Sequence, residues 1–158
     1  MNEREDVNEA LMRRCLTLAA RAAADGETAV GALVVRGDSV LGEGAEGSRR
    51  LLDPSAHAEV LALRAACHHE GSLDLSGCEL YTTVEPCVLC SLAIRRTGIV
   101  RVVYGVPAGQ IGGATSQYRL LTDGELTGYS APPEIVSGVL AKECFEVLQR
   151  RVRLDRSD

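Results

Sequence analysis

The sequence predicts an α/β fold: a three-layer α/β/α sandwich around a mixed five-stranded sheet, in a single domain over residues 1–158. Three observations carry this. Segments of helical period alternate with β-rich segments after an opening hairpin. A length of 158 residues suits one domain with a sizeable core. An apolar fraction of 46% beside a charged fraction of 25% is the composition of a soluble globular chain.

The elements follow in order. Val7, Leu11, Cys15, Leu18, Ala19 and Ala22 recur at helical spacing, so a first amphipathic helix is expected over 5–24, ending near Asp25-Gly26. Strands are expected over 30–35 and 40–44, joined by a hairpin turn at Arg36-Gly37-Asp38-Ser39. A polar loop over 46–50 follows. Asp53-Pro54 then reads as a helix start, with a capping carboxylate and Pro at the first helical position, running to Glu70 before Gly71. His68 and His69 fall in the last turn of that helix and read as solvated residues favoured by the helix dipole. Glu79 to Val84 is rich in β-formers and reads as a third strand. Pro86 is expected to open a helix over 86–97, stopped at Gly98. A fourth strand is expected over 99–104, a brief helix around 116–121, a short fifth strand over 134–136 and a last helix over 139–150.

Composition also narrows the function classes. No uninterrupted apolar run reaches membrane-spanning length, and the polar, acidic start Met1-Asn2-Glu3-Arg4-Glu5-Asp6 is no signal peptide. A cytoplasmic location is expected, with no membrane partner. In a reducing compartment six cysteines suit metal or buried-thiol roles better than a disulfide framework. Cys15, Cys67, Cys78 and Cys144 lie apart in apolar surroundings and read as small buried hydrophobes. A net charge of −5 and an aromatic content of 3% without Trp disfavour a broad nucleic-acid surface.

The chemistry concentrates in two stretches, Asp53-Pro54-Ser55-Ala56-His57-Ala58-Glu59 and Thr83-Val84-Glu85-Pro86-Cys87-Val88-Leu89-Cys90. Cys87-x-x-Cys90 at a helix start favours thiolates, which serve redox chemistry and metal binding equally. His57, also placed at a helix start after a strand and loop, tips the balance. In this element order both helix N-termini open onto one edge of the sheet, and one imidazole and two thiolates converge. Three such ligands without a fourth suit one Zn2+ with an open position for water, whose pKa the metal lowers toward about 7. Glu59 is the remaining carboxylate. Two residues on from His57 it would point away on a regular helix, yet at a helix end it can reach into a cleft and do acid–base work.

His57-Ala58-Glu59 followed by Pro86-Cys87-Val88-Leu89-Cys90 resembles the signature of the zinc-dependent cytidine deaminase superfamily. Ala29 to Ala32, Gly42-Glu43-Gly44, Asp53 to Ala62, Leu80 to Cys90 and Leu140 to Cys144 look like its branch of tRNA adenosine, guanine and cytosine deaminases. The resemblance covers about residues 8–150. It implies a cytidine deaminase-like fold, His57, Cys87 and Cys90 as zinc ligands, and Glu59 as proton shuttle. It implies Val30, Glu46, Ala58, Val84 and Glu85 as substrate contacts, and a homodimer or larger oligomer. The implied reaction hydrolyses an exocyclic amine of a heterocycle to a carbonyl and releases ammonia.

Two departures bear on the substrate. Where the branch commonly carries a base-binding Asn, this chain has Glu46. An amide both donates and accepts, whereas an ionised carboxylate only accepts, so Glu46 prefers a donor-rich edge if it faces the pocket. After the fourth strand, where the tRNA-acting branch places a charged run, this chain has Val106-Pro107-Ala108-Gly109-Gln110-Ile111-Gly112-Gly113. Arg150, Arg151 and Arg153 read as an exposed helix end, and Ser116 to Arg119 with Tyr129 as candidate caps of the pocket. The leading expectation is therefore a deaminase of a small amino-heterocycle: a nucleobase, nucleoside or related metabolite. The alternative is a tRNA adenosine-to-inosine deaminase acting on the anticodon loop. Two other classes are weaker. A zinc-stabilised binding domain lacks a fourth ligand, and a thiol–disulfide redox protein leaves His57 and Glu59 idle.

Overall fold

A computed structural model describes the backbone of residues 2–155 and the side chains of residues 2–150. The opening helix α1 (Glu3–Ala24) starts on Asn2, whose side chain accepts from the Glu5 N–H at 2.9 Å. It leads into a hairpin of β1 (Gly31–Arg36) and β2 (Ser39–Ala45), turned at Gly37 with φ 58°. A single helical turn, α2 (Ser48–Leu51), then precedes α3 (Ala58–Glu70). β3 (Glu79–Val84), α4 (Val88–Thr97) and β4 (Arg101–Val106) form a parallel crossover unit. A 3-10 turn at Gly109–Ile111 and a long strap of turns lead to β5 (Glu134–Val136) and α5 (Ala141–Asp155).

The sheet order is β2-β1-β3-β4-β5. β1 pairs antiparallel with β2 and β3, while β3–β4 and β4–β5 are parallel. The expected mixed five-stranded sheet is thus present. Alternation along the inner strands divides the core. Ala32, Val34, Leu80, Val102 and Tyr104 pack with Ala58, Ala62, Leu63 and Ala66 of α3 and Ile94 of α4. Leu33, Val35, Tyr81 and Val103 pack on the opposite face with Met12, Cys15 and Leu18 of α1 and Cys144 of α5. Because both faces are covered, β1 and β4 read as continuous apolar runs rather than alternating ones. No helix among the described residues is long and apolar enough to cross a membrane.

Two glycines of β2 let α3 come close to the sheet. A Cβ at Gly44 would lie 2.0 Å from the Ala58 carbonyl, and one at Gly42 would lie 2.3 Å from that of Ala62. This contact fixes the height of the α3 N-terminus over the edge where the β3–α4 connection emerges.

Several boundaries differ from expectation, each for a local reason. Asp53 does not cap a helix. Its carboxylate accepts from the Ser55 N–H at 2.8 Å and the Ser55 hydroxyl at 2.7 Å, which closes a turn. α3 therefore begins at Ala58, with His57 as its N-cap residue. The polar loop contains α2. α4 begins after Pro86, with Cys87 as N-cap residue. The fourth strand runs two residues later than the apolar run suggested, and the stretch 116–121 forms turns instead of a helix. The last helix begins at Ala141, after Leu140 at φ 49°. Arg150 is exposed, and the side chains of Arg151 and Arg153 lie outside the described residues.

Candidate active site

His57 and Cys87 are both N-cap residues with extended backbone, at ψ 151° and ψ 179°. Neither side chain caps its own helix, so both are free to turn toward the shared edge of the sheet. Cys90, in the first turn of α4, completes the group from behind and is fully buried. Cys87 Sγ lies 3.7 Å from Cys90 Sγ, and His57 Nδ1 lies 3.4 Å from each sulfur.

Those distances test the metal. Zinc bonds of about 2.3 Å to sulfur and about 2.0–2.1 Å to nitrogen, at tetrahedral angles, require about 3.8 Å between the sulfurs and about 3.6 Å between sulfur and nitrogen. The triangle fits a zinc ion to within a few tenths of an ångström, and the donor set matches its preference. Among the described residues this is the metal-capable group of His, Cys, Asp and Glu side chains that the geometry brings within 4.8 Å of one another.

In the metal-free trio one thiol is drawn down while the other two groups are raised, so a metal must displace protons from His57 and Cys90. The Cys87 thiol is drawn down to about 4, chiefly by the hydrogen bond from Cys90 and then by His57, despite partial burial. His57 is raised to about 9 by its hydrogen bond with Cys87. Cys90 is pushed up by its bond to Cys87, by burial and by the charge of Glu59.

Glu59 is 4% exposed and reaches the same spot. The i, i+2 rule of a regular helix does not separate it from His57, because His57 precedes the helix as its N-cap residue. The Thr82 hydroxyl donates to Glu59 Oε1 at 2.8 Å, and Cys90 Sγ lies 3.4 Å from Oε2. Burial pushes the carboxyl of Glu59 up, against these bonds. Thr82 is the residue that the sequence reading passed over. A hydroxyl at a fully buried position of an inner strand needs a partner, and that requirement is its one signal in the sequence.

In front of the trio lies a pocket of about 200 Å³, the scale of one heterocycle, lined in part by Val30, Glu46, His57, Glu59, Val84 and Cys87.

The model of the cytidine and deoxycytidylate deaminase zinc-binding region matches residues 5–106. The chain belongs to this family. A tRNA-specific adenosine deaminase of Haemophilus influenzae is 37% identical over 146 residues, covering 92% of this chain and 83% of the relative. One from Aquifex aeolicus is 36% identical over 115 residues, covering 73% and 76%. A structure from a study of A-to-I editing by tRNA:A34 deaminases superposes with a TM-score of 0.81 at 31% identity, covering 87% of this chain and 98% of that one. Guanine deaminase from Nitrosomonas europaea superposes with a TM-score of 0.76 at 26% identity, covering 90% and 83%. The chain is therefore a zinc-dependent deaminase, and His57, Cys87 and Cys90 form a group that could hold its metal.

The other expected contacts in this deaminase divide. Val30, Glu46 and Val84 line the pocket. Ala58 lies behind it, fully buried against Gly44. Glu85 also borders the pocket, but both its oxygens are engaged by the loop after β4. Oε1 accepts from Ala108 N at 3.0 Å and Thr115 Oγ1 at 2.7 Å. Oε2 accepts from the N–H groups of Ala114 and Thr115 at 2.8 Å each. Burial alone would raise the Glu85 carboxyl; the Thr115 hydroxyl and the three backbone donors outweigh it and hold the group below the usual range. Glu85 is thus a latch that fixes the wall formed by Ala108 and Ile111. Tyr118 and Arg119 line an adjoining groove with Val88, and Tyr129 is not among the pocket residues.

Proposed function

We propose that this deaminase converts adenosine to inosine in a tRNA, with Glu59 carrying the protons. This reverses the order expected from the sequence. The observation that carries it is the near-full-length likeness to tRNA adenosine deaminases in both sequence and fold. The pocket of about 200 Å³ suits a single base presented out of the stack by a loop.

His57, Cys87 and Cys90 would hold the zinc, which would lower the pKa of a water toward neutrality. The protein's own residues do the rest. Thr82 orients Glu59 through Oε1 and leaves Oε2 on the side of the ligands. Burial keeps the carboxyl of Glu59 ready to hold a proton. Glu59 takes a proton from the water, gives it to the ring nitrogen, and passes a second to the departing amine. Water and the C–NH₂ group become a C=O group and ammonia. Val30 and Val84 give apolar walls to a flat ring.

Glu46 favours a second reading, a small guanine-type amino-heterocycle. It lines the pocket, its Oε1 is fixed by the Ser48 hydroxyl, and as a carboxylate it only accepts. A ring edge carrying an N–H donor is its natural partner. The zinc-loaded protein should be given unmodified tRNA, free bases and nucleosides, with inosine read by mass spectrometry and ammonia by coupled assay. Glu59→Ala serves as blank, and should keep zinc while losing at least about 10²-fold in turnover. Turnover confined to free bases would remove the tRNA reading. Glu46→Asn should then shift preference between guanine-type and adenine-type rings.

A homodimer is part of this proposal. It is supported by an open apolar groove of about 570 Å³ between α3 and α4, lined by Val60, Leu63, Cys67 and Ala93 among others. Sedimentation showing only monomer at micromolar concentration would remove it. A cytoplasmic setting is supported by six free cysteines.

A further inference from the structure

α2 is one helical turn, and it stands on the segment between Glu46 and His57, both of which line the pocket. It is firmly braced. Glu27, 2% exposed, accepts from Arg49 N at 3.2 Å and Arg50 N at 2.6 Å. Gly47 N donates to Ala56 O at 3.0 Å and Asp53 N to Ser48 O at 3.1 Å, closing the base of the loop. With these backbone donors engaged, the turn offers only side chains outward: Arg49, Arg50, Leu51 and Leu52 are all exposed. Leu52 is 90% exposed and lies in the left-handed region at φ 50°.

The charges are equally telling. Arg14 and Arg36 are paired with Glu43 and Glu70 at 2.7 and 2.8 Å. Neither guanidinium of Arg49 or Arg50 has a hydrogen-bond or ion-pair partner among the described residues. A chain of net charge −5 thus places two adjacent unpaired cations on a braced turn beside its catalytic mouth. A buried carboxylate is used to hold that turn, although α2 adds no ligand and no pocket wall.

The geometry points to α2 as a phosphate-docking platform for the RNA strand that delivers the target base. Arg49 and Arg50 engage backbone phosphates, and Leu51 and Leu52 rest against a sugar or base face. This rests on the tRNA reading above. Such contacts fix register and carry no sequence information, so they complement a pocket that reads the base.

The test uses the zinc-loaded full chain carrying Glu59→Ala, so that bound RNA is not turned over. Binding of a labelled anticodon stem-loop is followed by fluorescence anisotropy from about 50 to 300 mM salt. Arg49→Ala and Arg50→Ala should each lower the slope of log K against log salt by about 0.7 and weaken binding several-fold. Arg13→Ala, on the exposed face of α1, should leave the slope unchanged. Zinc content and thermal midpoint establish that each variant is folded. If the protein with Glu59 intact forms inosine in tRNA and both α2 variants keep the slope of the Glu59→Ala parent, the platform is overturned and the tRNA reading stands. If the slope losses appear as expected but the protein with Glu59 intact forms no inosine in tRNA, the tRNA reading falls and with it the delivery of a target base, and only the phosphate contacts of α2 stand. No binding at any salt concentration overturns both.

Discussion

At the scale of single residues, His57 shows how one backbone position decides the chemistry. As an N-cap residue it directs its ring to the two sulfurs while the next turn of α3 carries Glu59 to the same place. Its raised value of about 9 has a measurable sign. Below that pH the metal-free ring is protonated and must lose its proton to bind zinc. Cys90, pushed upward, must lose one too, whereas Cys87, at about 4, is already ionised near neutrality. Zinc uptake at pH 7 should therefore release about two protons, and affinity should climb by about two log units per pH unit between roughly pH 5 and 8.5. Calorimetry in buffers of different ionisation heat measures this, and release of none would contradict the protonation pattern. Leu52 gives a second prediction. Its left-handed backbone costs about 1 kcal/mol or more, and its side chain is almost wholly exposed. Leu52→Gly should raise the thermal midpoint by a few degrees; a fall would mean that the side chain makes contacts that stabilise the fold.

At the scale of elements, the β2–α3 contact sets where the ligands stand. Gly44→Ala drives a Cβ into the Ala58 carbonyl, one residue from His57. It should cost about 1–3 kcal/mol and weaken zinc affinity as well, whereas Gly37→Ala, with open space around it, should affect stability alone. Equal zinc affinity in both would argue against the coupling. The same elements show what the sequence could and could not reveal. The ligands and Glu59 were legible because residue type and spacing state the chemistry directly. The strands were legible because β1 and β4 are apolar on both faces and β3 is rich in β-formers. The start of α3 was not, because Asp53 satisfies Ser55 rather than a helix, a choice between two local hydrogen bonds that the residue types alone do not settle. α2 was hidden because the carboxylate that holds it, Glu27, lies more than twenty residues upstream. Glu85 was expected to touch substrate by resemblance alone, and the partners of its carboxylate lie in the loop after β4.

At the scale of the whole molecule, the layers divide the work. The face with α3 and α4 carries the His57, Cys87 and Cys90 group, and the opposite face with α1 and α5 closes the core. Because the core on both faces of the sheet is built from apolar side chains outside the trio, chelation should leave the protein folded, with far-UV circular dichroism retained and only a lowered midpoint. Global unfolding on chelation would instead favour a structural zinc. Arg95 links α4 to what surrounds the site. It is 1% exposed, and its guanidinium donates to the carbonyls of Leu120, Asp123 and Ser130 at 2.8 Å each, while Ser130 N–H returns a bond to the Arg95 carbonyl. A strap without regular secondary structure is therefore anchored to the helix that supplies Cys87 and Cys90. The Ser130 amide should exchange with deuterium as slowly as a helix interior, and removing the Arg95 side chain should bring it to loop rates while zinc stays bound. Substitutions on the exposed outer edge of the strap, around Thr127 and Gly128, can then accumulate without loosening α4 or the two cysteines it carries.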